Sequence, residues 1–89
     1  MDHHILCINS GSSSMKFALY RLGVEEQLVA EGAVERIGIS GGRLWLKDDT
    51  GTRLADTHKE FPDHRKAVKA MFTTLSLSQI RVLEVLWPY

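Results

Sequence analysis

Cysteine is almost missing from this chain. Cys7 is the one thiol in 89 residues, so no internal disulfide can form and a disulfide-stapled framework is excluded. Net charge is missing too: eleven Lys and Arg balance eleven Asp and Glu, which gives neither nucleic acid nor an anionic membrane a bulk field to follow. The same neutrality weakens protection against self-association. There is no apolar run long enough for a membrane span or the core of a secretory leader. Met1-Asp2-His3-His4 puts an acid where such a leader carries basic residues, so a cytoplasmic location is expected. Length is the last scarcity: a chain of this size forms one small domain burying only about 60–65% of the surface its unfolded form exposes.

What the chain does have is concentrated near its start. Ile5 to Lys16 reads Ile-Leu-Cys-Ile-Asn-Ser-Gly-Ser-Ser-Ser-Met-Lys, an apolar strand breaking into Gly11 and three consecutive serines. Gly11 has no Cβ and each serine adds a hydroxyl donor, so the backbone N–H groups there can approach an anion closely. Lys16 adds a point charge, and phosphate is the natural guest. Gly11 and Lys16 share the spacing of the first half of a P-loop, but that motif needs a second Gly before its Lys, a Ser or Thr after it, and a helix to follow. Here Met15 and Phe17 flank the lysine, and Met15, Phe17 and Leu19 alternate with Lys16, Ala18 and Tyr20 with the period of a strand. The anion would therefore sit over a β-hairpin turn with no helix dipole behind it. Taken as residue types alone, Asn9 and the serines equally suit a plain hairpin turn, and Lys16 a solvated strand face.

Asn9-Ser10-Gly11-Ser12-Ser13-Ser14-Met15-Lys16-Phe17, directly after the first strand, resembles the opening signature of the acetate and propionate kinases, within the actin and hexokinase-like superfamily. Two further segments resemble the same family in the right order. Ala30-Glu31-Gly32-Ala33-Val34-Glu35-Arg36-Ile37-Gly38 is similar to its third strand, and Asp63-His64-Arg65-Lys66-Ala67 to the start of its first helix. The resemblance implies an ATP- and Mg²⁺-dependent phosphorylation of a short-chain carboxylate to an acyl phosphate. By position, Asn9 matches the asparagine that helps hold Mg²⁺, and an amide oxygen suits that water-retaining ion. Lys16 matches a contact to ATP, and Gly11, Ser12, Ser13 and Ser14 match the phosphate-facing turn as a group. Butyrate kinases fit less well, because their turn usually reads Pro-Gly-Ser-Thr-Ser.

The resemblance covers only the opening of the family's first domain. The family's arginine strand with its His-Gly-Gly run, catalytic Asp, His-containing loop and Gly-rich adenosine motif have no counterpart in the 89 residues. Phosphoryl transfer depends on positioning and charge stabilisation, so the chain alone is not expected to turn over. The alternative is a non-catalytic remnant, either a nucleotide or phosphate binder or an inert oligomerising module, and whether the chain is itself an enzyme stays open. The expected fold is α+β: a partial ribonuclease H-like (actin-like ATPase) domain, mainly antiparallel sheet, with an added β-hairpin and one covering helix.

Along the chain, strands are expected at about 5–8, 15–22 and 27–37, the last with Gly32 at a bulge. Gly38 to Gly42 forms a turn, and Arg43–Lys47 and Thr52–Ala55 a hairpin around Asp48-Asp49-Thr50-Gly51. The two acids there read as a solvated loop. Pro62 and Asp63 start a helix whose Ala67, Val68, Met71, Phe72 and Leu75 recur on one apolar face. Cys7 reads as a small buried hydrophobe. His58 and His64 are spaced for no standard metal pair, and no histidine is assigned to a metal. From residue 79 the sequence departs from the family. Its Gln79–Tyr89 run suits a last strand or a helical face, and a frame change or premature stop would produce it. An unpaired strand there would be an aggregation-prone edge that a second copy could cover, which leaves homo-oligomerisation open.

Overall fold

Five strands follow one another as an antiparallel meander: β1 (His3–Ser10), β2 (Ser14–Leu22), β3 (Glu26–Glu35), β4 (Arg43–Asp48) and β5 (Arg53–His58). Helix α1 (His64–Leu77) comes next, and the two-residue strand β6 (Val85–Leu86) pairs in parallel with β1. The sheet order is β5-β4-β3-β2-β1-β6. This computed structural model describes residues 3–77 and 85–86. The architecture is the expected α+β sheet, with β4 and β5 as the added hairpin and α1 as the covering helix. Among the described residues no helix is long and apolar enough to cross a membrane.

The period of two along β2 decides which face is covered. Met15, Phe17 and Leu19 are buried, while Lys16 between them is exposed, because successive strand residues point to opposite faces. The register carries this division across the sheet. Leu6 pairs with Leu19 and Ile8 with Phe17, while Val34 pairs with Met15 and with Leu44. Against this face α1 sets Ala67, Met71 and Leu75, all fully buried and spaced four apart along one helical stripe. Asp63 caps the helix as expected, its Oδ1 accepting the Lys66 N–H at 2.8 Å. Phe61 and Ile37 close the core near the start of α1.

Three local expectations are corrected. Gly32 is not at a bulge: it pairs in register with Phe17 and Leu46, and the irregularity lies between Leu19 and Tyr20, where β3 carries Val29 as the extra residue. β3 ends at Glu35, since Arg36 turns the chain with φ of 60°, an angle a strand cannot hold. Cys7 is exposed. It lies on the uncovered face, opposite Ala18, between Leu6 and Ile8, which belong to the core side; an apolar run does not reveal which of its residues face the helix. Asp48 is the organising acceptor of the β4–β5 turn, its Oδ1 taking the Thr50 N–H at 2.9 Å, the Thr50 hydroxyl at 2.7 Å and the Thr52 N–H at 3.0 Å. Of the tail, Val85 and Leu86 are strand; residues 79–84 and 87–89 lie outside the described residues.

Candidate functional site

The β1–β2 connection is Gly11-Ser12-Ser13, and three hydrogen bonds hold it. The Gly11 N–H donates to the Ser14 carbonyl at 2.8 Å, and the Ile37 N–H donates to the Ser13 carbonyl at 2.8 Å. From α1, His64 Nε2 lies 2.8 Å from the Gly11 carbonyl oxygen. A carbonyl can only accept, so Nε2 is the protonated nitrogen in this contact. Ser14 Oγ leans over Gly11, 3.2 Å from where a Cβ would stand, so a larger residue at 11 would push that hydroxyl aside.

The remaining donors of the turn are unspent. Among the described residues, the N–H groups of Ser12 and Ser13 and the hydroxyls of Ser12, Ser13 and Ser14 have no hydrogen-bond partner. Three carbonyls are thus tied to the protein while donors stay available, which is the arrangement that favours an anion.

Asn9 and Lys16 face each other across β1 and β2, one pair before the Ser10–Met15 pair that closes the hairpin. Both are exposed and lie on the face opposite α1. Beside them is a cavity of about 410 Å³, lined by Cys7, Asn9, Lys16, Ala18, Glu31 and Trp45. On the Trp45 ring sit Lys47 Nζ, 5.6 Å from its centroid, and the Arg53 guanidinium, at 5.1 Å. Asn9, Gly11, the three serines and Lys16 therefore cluster at one end of one hairpin.

The turn does not open a helix, and the first residue of α1 reaches it through the His64 side chain. His64 is the contact that sequence reasoning missed. Its signal lay in Asp63-His64, at the family's helix start, but a partner 53 residues away has no local trace.

No group of three or more His, Cys, Asp or Glu able to hold a metal occurs among the described residues. The donors near the turn are one amide and several hydroxyls. That set is too poor for an all-protein metal cage. It does suit Mg²⁺, which keeps waters and is held mainly through nucleotide phosphates.

An antiparallel sheet covered by one helix, with a hydroxyl-rich turn between its first two strands, is the opening part of an actin-like ATPase domain. The crystal structure of Porphyromonas gingivalis acetate kinase matches it with a TM-score of 0.80 at 28% identity, over 93% of this chain and 21% of that one. The model of the Acetokinase family matches residues 4–85, and the chain belongs to that family. It is 43% identical over 75 residues to the acetate kinase of Staphylococcus carnosus, covering 84% of this chain and 18% of the relative. Against the acetate kinase of Thermotoga maritima the figures are 38% over 80 residues, 90% and 19%. The propionate kinase of Escherichia fergusonii is 40% identical over 80 residues, covering 90% and 18%. The chain thus spans about a fifth of the length of these relatives.

Proposed function

We propose that residues 1–89 are a single partial domain that supplies the phosphate-facing turn of a carboxylate kinase. The observation that carries this reading is the turn's division of labour. Its carbonyls at Gly11, Ser13 and Ser14 are taken up by His64, Ile37 and Gly11, while the Ser12 and Ser13 amides and three hydroxyls remain for a ligand. In this reading Ser12, Ser13 and Ser14 donate to the terminal phosphates of ATP with Gly11 allowing close approach, and Lys16 adds a charge-assisted contact. Asn9 would offer its amide oxygen to Mg²⁺, whose chemistry when bound is to neutralise charge on the transferring phosphoryl group.

The reaction proposed for the whole family architecture is transfer of the γ-phosphoryl group of ATP to acetate. A carboxylate oxygen bonds to phosphorus as the bond from phosphorus to the ADP oxygen breaks, giving acetyl phosphate. Propionate is the alternative acceptor in this proposal, since an acetate kinase and a propionate kinase are similar to this chain at comparable identity. The 89 residues are proposed to bind nucleotide without turnover, as a phosphate-binding module, since catalysis needs charged groups beyond those on this hairpin.

A titration with Mg-ATP followed by the amide resonances of the uniformly ¹⁵N-labelled chain tests this. Saturable movement of the Gly11 to Ser14 signals is expected. Signals that stay in place at millimolar nucleotide would remove the proposal.

A further inference from the structure

We infer that His64 is a positioning residue for the phosphate turn, aiming the Ser12 N–H at the ligand by holding the Gly11 carbonyl from behind. The inference rests on the proposed reading of the turn as a phosphate site. Its first ground is the geometry of the peptide unit. The Gly11 carbonyl and the Ser12 N–H belong to one peptide, and no peptide among the described residues is cis. In a trans peptide the C=O and N–H point in opposite directions. The His64 Nε2 contact at 2.8 Å draws the carbonyl toward the start of α1, so the Ser12 N–H must point away from α1.

The second ground is that this peptide needs an anchor. Glycine permits backbone angles closed to other residues, so rotation of the Gly11–Ser12 peptide meets little steric resistance on its Gly11 side. A flipped peptide would turn a carbonyl oxygen toward the phosphate in place of an N–H, exchanging attraction for repulsion. The next peptide but one, Ser13–Ser14, is held by the same logic. The Ile37 N–H takes the Ser13 carbonyl at 2.8 Å, which directs the Ser14 N–H oppositely. His64 and Ile37 thus grip alternate peptides of the turn from the protein side. His64 reaches its carbonyl through a side chain, so it can be altered without touching the backbone ladder.

The reach of the side chain makes the idea testable. Glutamine carries an N–H donor at nearly the distance of Nε2, asparagine carries one closer to the backbone, and alanine carries none. The 89-residue chain and its His64→Gln, His64→Asn and His64→Ala variants would be titrated with Mg-ATP, with amide hydrogen exchange measured before nucleotide is added. Expected is Mg-ATP binding about fivefold weaker in His64→Ala and His64→Asn, the worth of one hydrogen bond, with His64→Gln within about twofold of the unaltered chain. Ligand-free exchange at Gly11 and Ile37 should quicken in the two weakened variants while Leu19 and Ala30 in the sheet keep their rates. Equal binding by all four chains would overturn the inference. So would faster exchange spread evenly over Gly11, Leu19 and Ala30, which is the mark of general destabilisation. If the unaltered chain takes up no Mg-ATP, the functional proposal fails by itself. Selective quickening at Gly11 and Ile37 then shows only that His64 holds the backbone of the turn, and the aiming role falls with the reading it rests on; absence of that quickening overturns the holding as well.

Discussion

Gly32 on β3 abuts the ring of Phe17 on β2, so closely that a Cβ on the glycine would stand 2.7 Å from Phe17 Cζ and 2.2 Å from the Trp45 carbonyl oxygen. The ring could swing aside; the carbonyl belongs to the neighbouring strand and could not. Gly32→Ala is expected to destabilise the fold by about 3 kcal/mol through overpacking, read as a lower urea midpoint. An unchanged midpoint would contradict this packing.

Met71 is fully buried at the middle of the α1 stripe, between Ala67 and Leu75. Met71→Ala is expected to cost about 3 kcal/mol, the removed apolar contact plus the cavity left behind. Because so small a domain has little stability to spare, the variant should show a strongly lowered melting temperature, with loss of helix and sheet signals together in circular dichroism.

Acid should destabilise the added hairpin first. Arg43 donates to both carboxylate oxygens of Asp56, at 2.9 and 2.8 Å, and this hydrogen bonding lowers the Asp56 pKa. The Thr50 hydroxyl, with the turn amides, lowers that of Asp48. Carboxyls whose folded pKa is depressed contribute stability that is complete above their unfolded value of about 4 and is lost as pH falls through the folded value. Amide exchange along β4 and β5 should therefore quicken below about pH 4, ahead of β1 and β2. Asp48→Asn should flatten that acid limb; an unaltered limb would count against Asp48 as its source.

Lys16 is exposed on the open face, so its replacement should leave stability alone. Lys16→Ala is expected to weaken Mg-ATP binding by about fivefold, the worth of a surface charge contact near 1 kcal/mol, with a melting temperature equal to that of the unaltered chain. Calorimetric titration alongside thermal unfolding separates the two effects.

Cys7 should react in the folded state. A colorimetric thiol reagent in native buffer is expected to modify it fully without denaturant, since the side chain lies exposed on the uncovered face. Reaction only after addition of urea would mean that this face is covered in solution.

Most of the meander could be read from the sequence because its signals are local. Met15, Phe17 and Leu19 alternate with polar or small residues, Asp48 to Gly51 carry turn chemistry, and Asp63 caps a helix whose apolar residues recur four apart. The family, too, was legible from Asn9 to Phe17 and two later segments. Other features depend on distant partners. Gly32 looked like a bulge because glycine often marks one; its actual reason is the Phe17 ring and the Trp45 backbone from two neighbouring strands. Cys7 looked buried because nothing in β1 says that one face stays open. The six residues proposed for the candidate site fall within one short stretch, 9–16, and the β1–β2 register brings them to one end of one hairpin. The bond from His64 to Gly11 was not legible, because it joins positions that become neighbours only when the helix packs.

That bond also sets a timetable. Each antiparallel pair of the meander joins strands adjacent in sequence, the kind of topology that folds quickly because little loop entropy is lost before contacts form. The Gly11–His64 contact spans 53 residues and must wait for five strands and a helix. On a chain emerging from the ribosome, the serine turn is therefore made early but aimed late, and a nascent segment ending before α1 would carry every letter of the motif with its key peptide still free to turn.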